Sequence, residues 1–407
     1  MSFVRKAVVA GGLCLLLLAP ALAAAQPAYD VGKADKRYMK SFLAMYPKVA
    51  QPPTLDQYAT VARFDDLFMG EKLDRTMKDS TNDEGTLAWW LTYYIRALDD
   101  MYRVTGDVKY LHSSLKIVRA AVNCTDDKRG IPLFNRTIVP TWGSPKYAER
   151  GRCALVVNTG LICAALFEFL LTARTASGFD ASLGIERGII ADTALKAMRV
   201  HERQWRAGPE PGAGRYIGMD QENMYEGKTL PANRISAMGW AHWMAFKFNG
   251  DPALRDRALA VGWYLRHRMV PAPDGALYWP YQLSEEPVQG EQPRDKILGE
   301  DTSHAGLTMA LPFALAGDGQ VFTREDMARI AKMVTNGLAR LGNGVFLGDI
   351  TGNPYSKPER IRFISNWLPL AEYDPRIAKE VVSFFLNYRP NPDPIALSSL
   401  IVFQKRP

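Results

Sequence analysis

A glycine–aspartate turn that keeps returning between apolar helical stretches restricts this chain more than any other feature. Thr105-Gly106-Asp107, Asn249-Gly250-Asp251 and Gly317-Asp318-Gly319 each separate two stretches of helical periodicity, and Gly178-Phe179-Asp180 marks a similar break. The pairing has a physical reason. Glycine accepts the left-handed conformation that ends one helix, and aspartate caps the free N–H groups that begin the next. Read this way, the sequence predicts helices over 35–46, 55–69, 85–104, 108–122, 153–175, 185–203, 233–248, 253–269, 302–316, 324–341, 359–370, 375–387 and 395–403. Strand is expected only in short pieces, 277–281 and 344–347.

Connection lengths alternate as well. Turns inside a hairpin are short, whereas connections between hairpins run to roughly twenty or thirty residues, long enough to carry function. Alternation gathers the short turns at one end of a closed ring and the long loops at the other. Many of the helices are apolar on more than one face, as inner helices of such a ring must be. The expected fold is therefore all-α, an α/α toroid of about six or seven helical hairpins, with a groove at the long-loop end.

Residues 1–25 read as a secretory signal, with Arg5 and Lys6 before an apolar core and Ala21-Leu22-Ala23 as the cleavage site. Residues 26–407 are then expected to form one toroidal domain, exported to the periplasm or medium. No later run reads as a membrane anchor. Removing the leader lowers the formal net charge from +7 to +5, a balance that suits an acidic polymer. Cys124, Cys153 and Cys163 remain, and an exported chain is expected to oxidise one pair, Cys124–Cys153 in preference to Cys153–Cys163. No C-x-x-C or H-E-x-x-H spacing and no phosphate-cradling glycine loop occurs, so neither metal, cofactor nor nucleic acid is expected. The chain is expected to act as a monomer.

The densest chemistry lies in 275–306. Leu277-Tyr278-Trp279-Pro280-Tyr281 is followed by a polar loop with Arg294 and Lys296, and then by Glu300-Asp301-Thr302-Ser303-His304 at a helix start. Asp301, Thr302 or Ser303 can cap that helix, placing His304 in its first turn beside free N–H groups. The long-loop end also collects Trp142, Tyr147, Arg152, Tyr216, Tyr225, Tyr355 and Arg360, with Asn158, Asn233 and Arg362 in the first turns of inner helices. Aromatic platforms beside arginines and amides suit a sugar groove, because apolar sugar faces stack on Trp and Tyr while carboxylates meet cations. His242 lies deeper in an inner helix and can reach the cavity or pack in the core; His112, His201 and His267 are expected to serve packing or surface roles.

The run Leu230 to Gly239 (LPANRISAMG), the LYWPY piece and the EDTSHAG helix start resemble the α/α-toroid enzymes acting on uronic-acid polysaccharides, most of all the alginate and glucuronan lyases of polysaccharide lyase family 38. The resemblance implies β-elimination of a 4-linked uronate: carboxylate neutralisation, proton abstraction at C5 and protonation of the leaving oxygen. It implies Asn or His, Arg and Tyr for these roles, hence Asn233, His304 and one of Tyr278, Tyr281 and Tyr355. Tyr281 is preferred because Trp279 and Tyr281 share one side of an extended piece. Asn158, Trp142, Arg152, Tyr225, His242, Trp279, Arg294, Asp301, Arg360 and Arg362 are candidate substrate contacts. The rival reading is a glycoside hydrolase on the same toroid, with Glu300 or Asp301 opposite Asp220 or Glu222. A uronate C5-epimerase and a polysaccharide-binding protein are the further alternatives.

Overall fold

The computed structural model describes residues 31–146, 148, 151–219, 225–389 and 391–405. The expected signal segment, Tyr147, Asp220 and Glu222 lie outside them.

Helix follows the periodicity closely. After α1 (Val31–Met45) and α2 (Val61–Phe68), a π-helical turn, Leu87–Leu91, runs into α3 (Thr92–Thr105), and α4 (Lys109–Asn123) completes the hairpin. Next come α5 (Val156–Ala173) with α6 (Glu186–Arg199), and α7 (Ala232–Asn249) with α8 (Pro252–His267). The expected helix over 302–316 is two, α9 (Thr302–Thr308) and α10 (Ala310–Gly317), followed by α11 (Arg324–Met333). A 3-10 helix, Ile364–Glu372, carries Pro369 inside it, and α12 (Arg376–Tyr388) and α13 (Pro394–Gln404) close the chain.

The contacts form a ring. α3 packs on α5, α5 on α7, α7 on α9 and α10, α9 on the 3-10 helix, the 3-10 helix on α13, and α13 back on α3. Six inner units thus close on one another, with α2, α4, α6, α8, α11 and α12 packed outside. This is an α/α toroid. α5, α7, α9 and the 3-10 helix each begin where a long loop ends, so the N-terminal ends of these inner helices share one end of the ring.

The glycine–aspartate turns work as their chemistry requires. Gly106 (φ 72°) and Gly250 (φ 76°) close α3 and α7 in the left-handed region, and Asp251 accepts from the Ala253 N–H to cap α8. Two turns depart from the pattern. Phe179 and Asp180 sit inside a short helix, Ser177–Leu183. Asp318 accepts from the Trp243 indole and the Lys247 ammonium instead of capping α11, a role that Thr323 takes.

Among the described residues strand is confined to two small hairpins, β1 (Trp205–Ala207) with β2 (Gly214–Tyr216), and β3 (Val270–Pro271) with β4 (Leu277–Tyr278). The piece expected over 344–347 is coil, tied by Leu347 N–H to Leu338 O. α5 is long and apolar enough to cross a membrane, which the sequence was not expected to contain beyond its leader, but it is the buried inner helix of the ring. Cys124 and Cys163 are both thiols, so neither expected disulfide forms; Cys163 lies buried in α5 against Ala194 O at 3.4 Å.

Candidate active site

The long loops hold the site, and they are cross-tied. Ile350 N–H reaches Glu300 O, and Thr302 N–H reaches Gly348 O. The fully buried Arg268 donates to Ser284 O at 3.2 Å and to Glu210 Oε2 at 2.7 Å, and also to Glu285 O. One guanidinium thereby joins the loop carrying β1 and β2 to the loop that follows β4.

Within this frame Tyr281 N–H binds Leu298 O, and Ala232 N–H binds Tyr281 O, so the tyrosine is pinned against the start of α7. Its ring lies 5.5 Å from the His304 ring. Its hydroxyl accepts from the Tyr225 hydroxyl at 3.2 Å, and the Arg234 guanidinium stands 4.7 Å from the Tyr225 ring centre. Of the three candidate caps, Asp301 caps α9, accepting from the N–H groups of Ser303 and His304 through Oδ1, while Oδ2 meets His304 Nδ1 at 2.7 Å. Asn233 donates its N–H to Glu300 Oε1 at 3.2 Å, and its buried side-chain oxygen has no hydrogen-bond partner among the described residues. On the adjoining helix α5, neither Oδ1 nor Nδ2 of the buried Asn158 has one. A buried amide left unsatisfied is costly, and it points to a ligand-facing role.

Electrostatics separates these groups. Burial works to lower the His304 pKa, but the hydrogen bond and charge of Asp301, joined by Glu300, outweigh it, and the net direction is up. Burial works to raise Asp301, yet His304 and Ser303 hold its carboxyl down at about 2. Glu300 is pushed up to about 7 by burial, against hydrogen bonds from Thr308 and Trp279. Burial, then Tyr225, pushes the Tyr281 phenol above its ordinary value, with Arg234 pulling it back. Tyr281 is thus a proton donor in the free protein, and His304 is held toward its charged form.

Asn233, His304, Tyr281, Tyr225 and Asp301 therefore meet at one place. Other candidates have other work. Tyr278 turns to the opposite side and donates to Asp274 Oδ2 at 3.1 Å. Trp279 is buried, its indole donating to Glu300 Oε2 at 2.7 Å, so it braces the carboxyl and offers no sugar platform. Trp142 is likewise fully buried, donating to Ala121 O at 2.8 Å. Arg152 is spent on Asp126 and Asp83 in a network that Arg129 shares. His242 is core: buried, its ring 2.7 Å from the Tyr216 hydroxyl, and pushed down to about 3 by desolvation. His201 is held between Gln204 and Thr159. Arg294 donates to Asn336 O and lines an open pocket of about 620 Å³ beside Asp274 and Arg340. Tyr355, Arg360 and Arg362 are exposed.

The rival's carboxylates fare differently. Glu300 is fully buried and accepts from Asn233 N–H, Trp279 and Thr308, while Asp301 is engaged with His304. Arg234 was missed, although it directly follows Asn233 in the LPANRISAMG run. Nothing local in the sequence marks Glu300 as a buried hub.

No protein-family model matches the chain, and no curated protein matches it. Among solved structures it is similar to the alpha-1,6-mannanase GH76A of Salegentibacter sp. HEL1_6, at 13% identity and a TM-score of 0.47, over 92% of this chain and 98% of that one. An inactive variant of that enzyme in complex with alpha-1,6-mannotriose matches with the same identity, TM-score and coverage. Another, with alpha-1,6-mannotetrose, matches at 12% identity and a TM-score of 0.45. In kind these neighbours are glycoside hydrolases, the class of the rival reading rather than of the lyase; a likeness this distant adds no argument about chemistry.

Proposed function

We propose that the chain is an exported polysaccharide-cleaving enzyme that works at the long-loop end of the toroid, and that it cleaves a 4-linked uronate polymer by β-elimination. The observation that carries this reading is the Tyr281 ring 5.5 Å from a His304 ring that Asp301 binds at 2.7 Å and holds toward its charged form, with a buried Asn233 amide oxygen at the start of α7 that has no partner among the described residues. Elimination needs the uronate carboxylate neutralised before its C5 proton can leave, and a charged imidazole near side-chain amides supplies that electrostatic work. The C5 proton needs a base and the leaving oxygen an acid, and Tyr281 serves as both once its own proton has passed to solvent beside the His304 and Arg234 cations: its phenolate takes the C5 proton, and the re-formed hydroxyl passes that proton to the leaving oxygen of the same sugar.

Glycoside hydrolysis is the second reading, favoured by one observation. Neighbouring carboxyl groups are driven apart, Glu300 up to about 7 and Asp301 down to about 2, the pattern that divides acid from base. The burial of Glu300 argues against its reaching a glycosidic oxygen.

Incubation with alginate, glucuronan and neutral polysaccharides, followed by ultraviolet absorbance and reducing-end assay, separates the two. Elimination is expected to raise the absorbance of a conjugated unsaturated uronate together with reducing ends on an acidic polymer. Reducing ends without absorbance would hand the reaction to hydrolysis, and neither signal on any polymer would overturn both.

A further inference from the structure

Between α3, α9, α10, the 3-10 helix and α13 lies a cavity of about 200 Å³. It begins one helical turn beyond His304, at Leu307 of α9, and runs past Phe313 of α10. Arg96 and Asp100 of α3 line one side, and Ser365 and Asn366 of the 3-10 helix line another. Tyr93, also a wall residue, is stacked by Phe363 at 4.5 Å and 18°. Phe363 holds φ at 53°, a left-handed conformation that a bulky residue adopts only under tertiary constraint.

Two features of this cavity point to a ligand and to its chemistry. Ser365 is buried, 1% exposed, and its hydroxyl has no hydrogen-bond partner among the described residues. The charges, by contrast, are matched to one another: Arg96 stands 3.4 Å from Glu168, and Arg103 stands 3.0 Å from Asp100. A carboxylate entering here would meet carboxylates whose cations are already engaged, at a high desolvation cost. Hydroxyl groups would find Ser365, Asn366 and the edges of the Arg96 and Asp100 side chains, and an apolar ring face would find Leu307 and Phe313. The volume equals that of about seven waters at ~30 Å³ each, room for one small molecule and not for an oligomer.

We infer that this cavity binds a single neutral polyol of about monosaccharide size, at a site separate from the groove at the long-loop end. This binding does not depend on whether the long-loop end performs elimination or hydrolysis.

Calorimetric titration of the full chain with glucose, mannose, galactose and glucuronate tests the assignment. Saturable binding of at least one neutral hexose is expected, with glucuronate silent. Ala310→Phe, which places a ring in the cavity from its α10 wall, is expected to abolish that binding, with circular dichroism confirming the fold. Should Ala310→Phe fail to fold, Ser365→Ala decides, with an expected weakening of roughly fivefold from one lost hydrogen bond. Tyr281→Phe is expected to leave hexose binding unchanged. The proposal is overturned if no neutral hexose binds, if glucuronate binds equally well, or if hexose binding persists undiminished in whichever folded cavity variant is available.

Discussion

At the scale of the residue, the Asp301–His304 pair decides how the site behaves with pH. His304 is raised in the folded chain, so its charged form is the one folding favours. Its contribution to stability is complete below the unfolded histidine value of ~6.5 and is lost as pH rises through the folded value. Asp301 is lowered to about 2, so its contribution is present above ~3.9 and is lost as pH falls toward that lower value. The two windows overlap between about pH 4 and pH 6.5, where the pair supports the fold most. If turnover needs charged His304, activity falls as pH rises through the His304 pKa. Asp301→Asn removes the partner that raises it and is expected to move this alkaline limb to lower pH. His304→Ala is expected to reduce kcat on the order of a hundredfold, and Tyr281→Phe by more, with little change in substrate binding for the latter. An unmoved alkaline limb in Asp301→Asn, with near-normal turnover in the other two, would remove this cluster from the chemistry.

At the scale of the element, close helix contact fixes how neighbouring inner helices present their first turns. Gly160 of α5 lies against α7 so tightly that a Cβ there would sit 2.6 Å from both Ala237 C and Met238 N. These are backbone atoms and cannot swing aside. Gly160→Val is therefore expected to lower stability by about 1–3 kcal/mol or more, read as a lower urea midpoint, and to disturb the register of Asn158 against Asn233. An unchanged midpoint would show that the two helices are free to separate. This contact also marks the limit of what the sequence disclosed. Periodicity and capping chemistry are local, so helix existence was legible, as was a cap among Asp301, Thr302 and Ser303, of which Asp301 is the one used. Arg152, Trp142 and His242 looked free for substrate because their partners, Asp83 and Asp126, Ala121 O and the Tyr216 hydroxyl, are distant in sequence or hidden behind a loop. The helix expected over 359–370 is instead a 3-10 helix over Ile364–Glu372, because side-chain pattern does not report the tighter winding that Pro369 accompanies.

At the scale of the whole molecule, the alternation of turns and loops yielded the toroid but not the contact that closes it, which is α13 meeting α3. That contact separates a ring from an open stack of hairpins. In a stack each unit touches only its neighbours, and a terminal unit can be lost at modest cost. Here α13 packs on α3, on α2 and on the 3-10 helix together. It is nearly all buried, from Ile395 to Ile401, and is capped by Asp393, which accepts from Ala396 N–H at 2.8 Å. Deleting residues 391–407 would expose the apolar face of α3, leave the cavity between α3 and α10 without one wall, and break the contact on which every inner helix depends indirectly. The shortened chain is expected to lose its single cooperative unfolding transition and to bind a hydrophobic dye, where the full chain unfolds in one step. A shortened chain that melts sharply at the original midpoint would show that the hairpins are stable as a stack, and that closure contributes shape to the site without contributing stability to the fold.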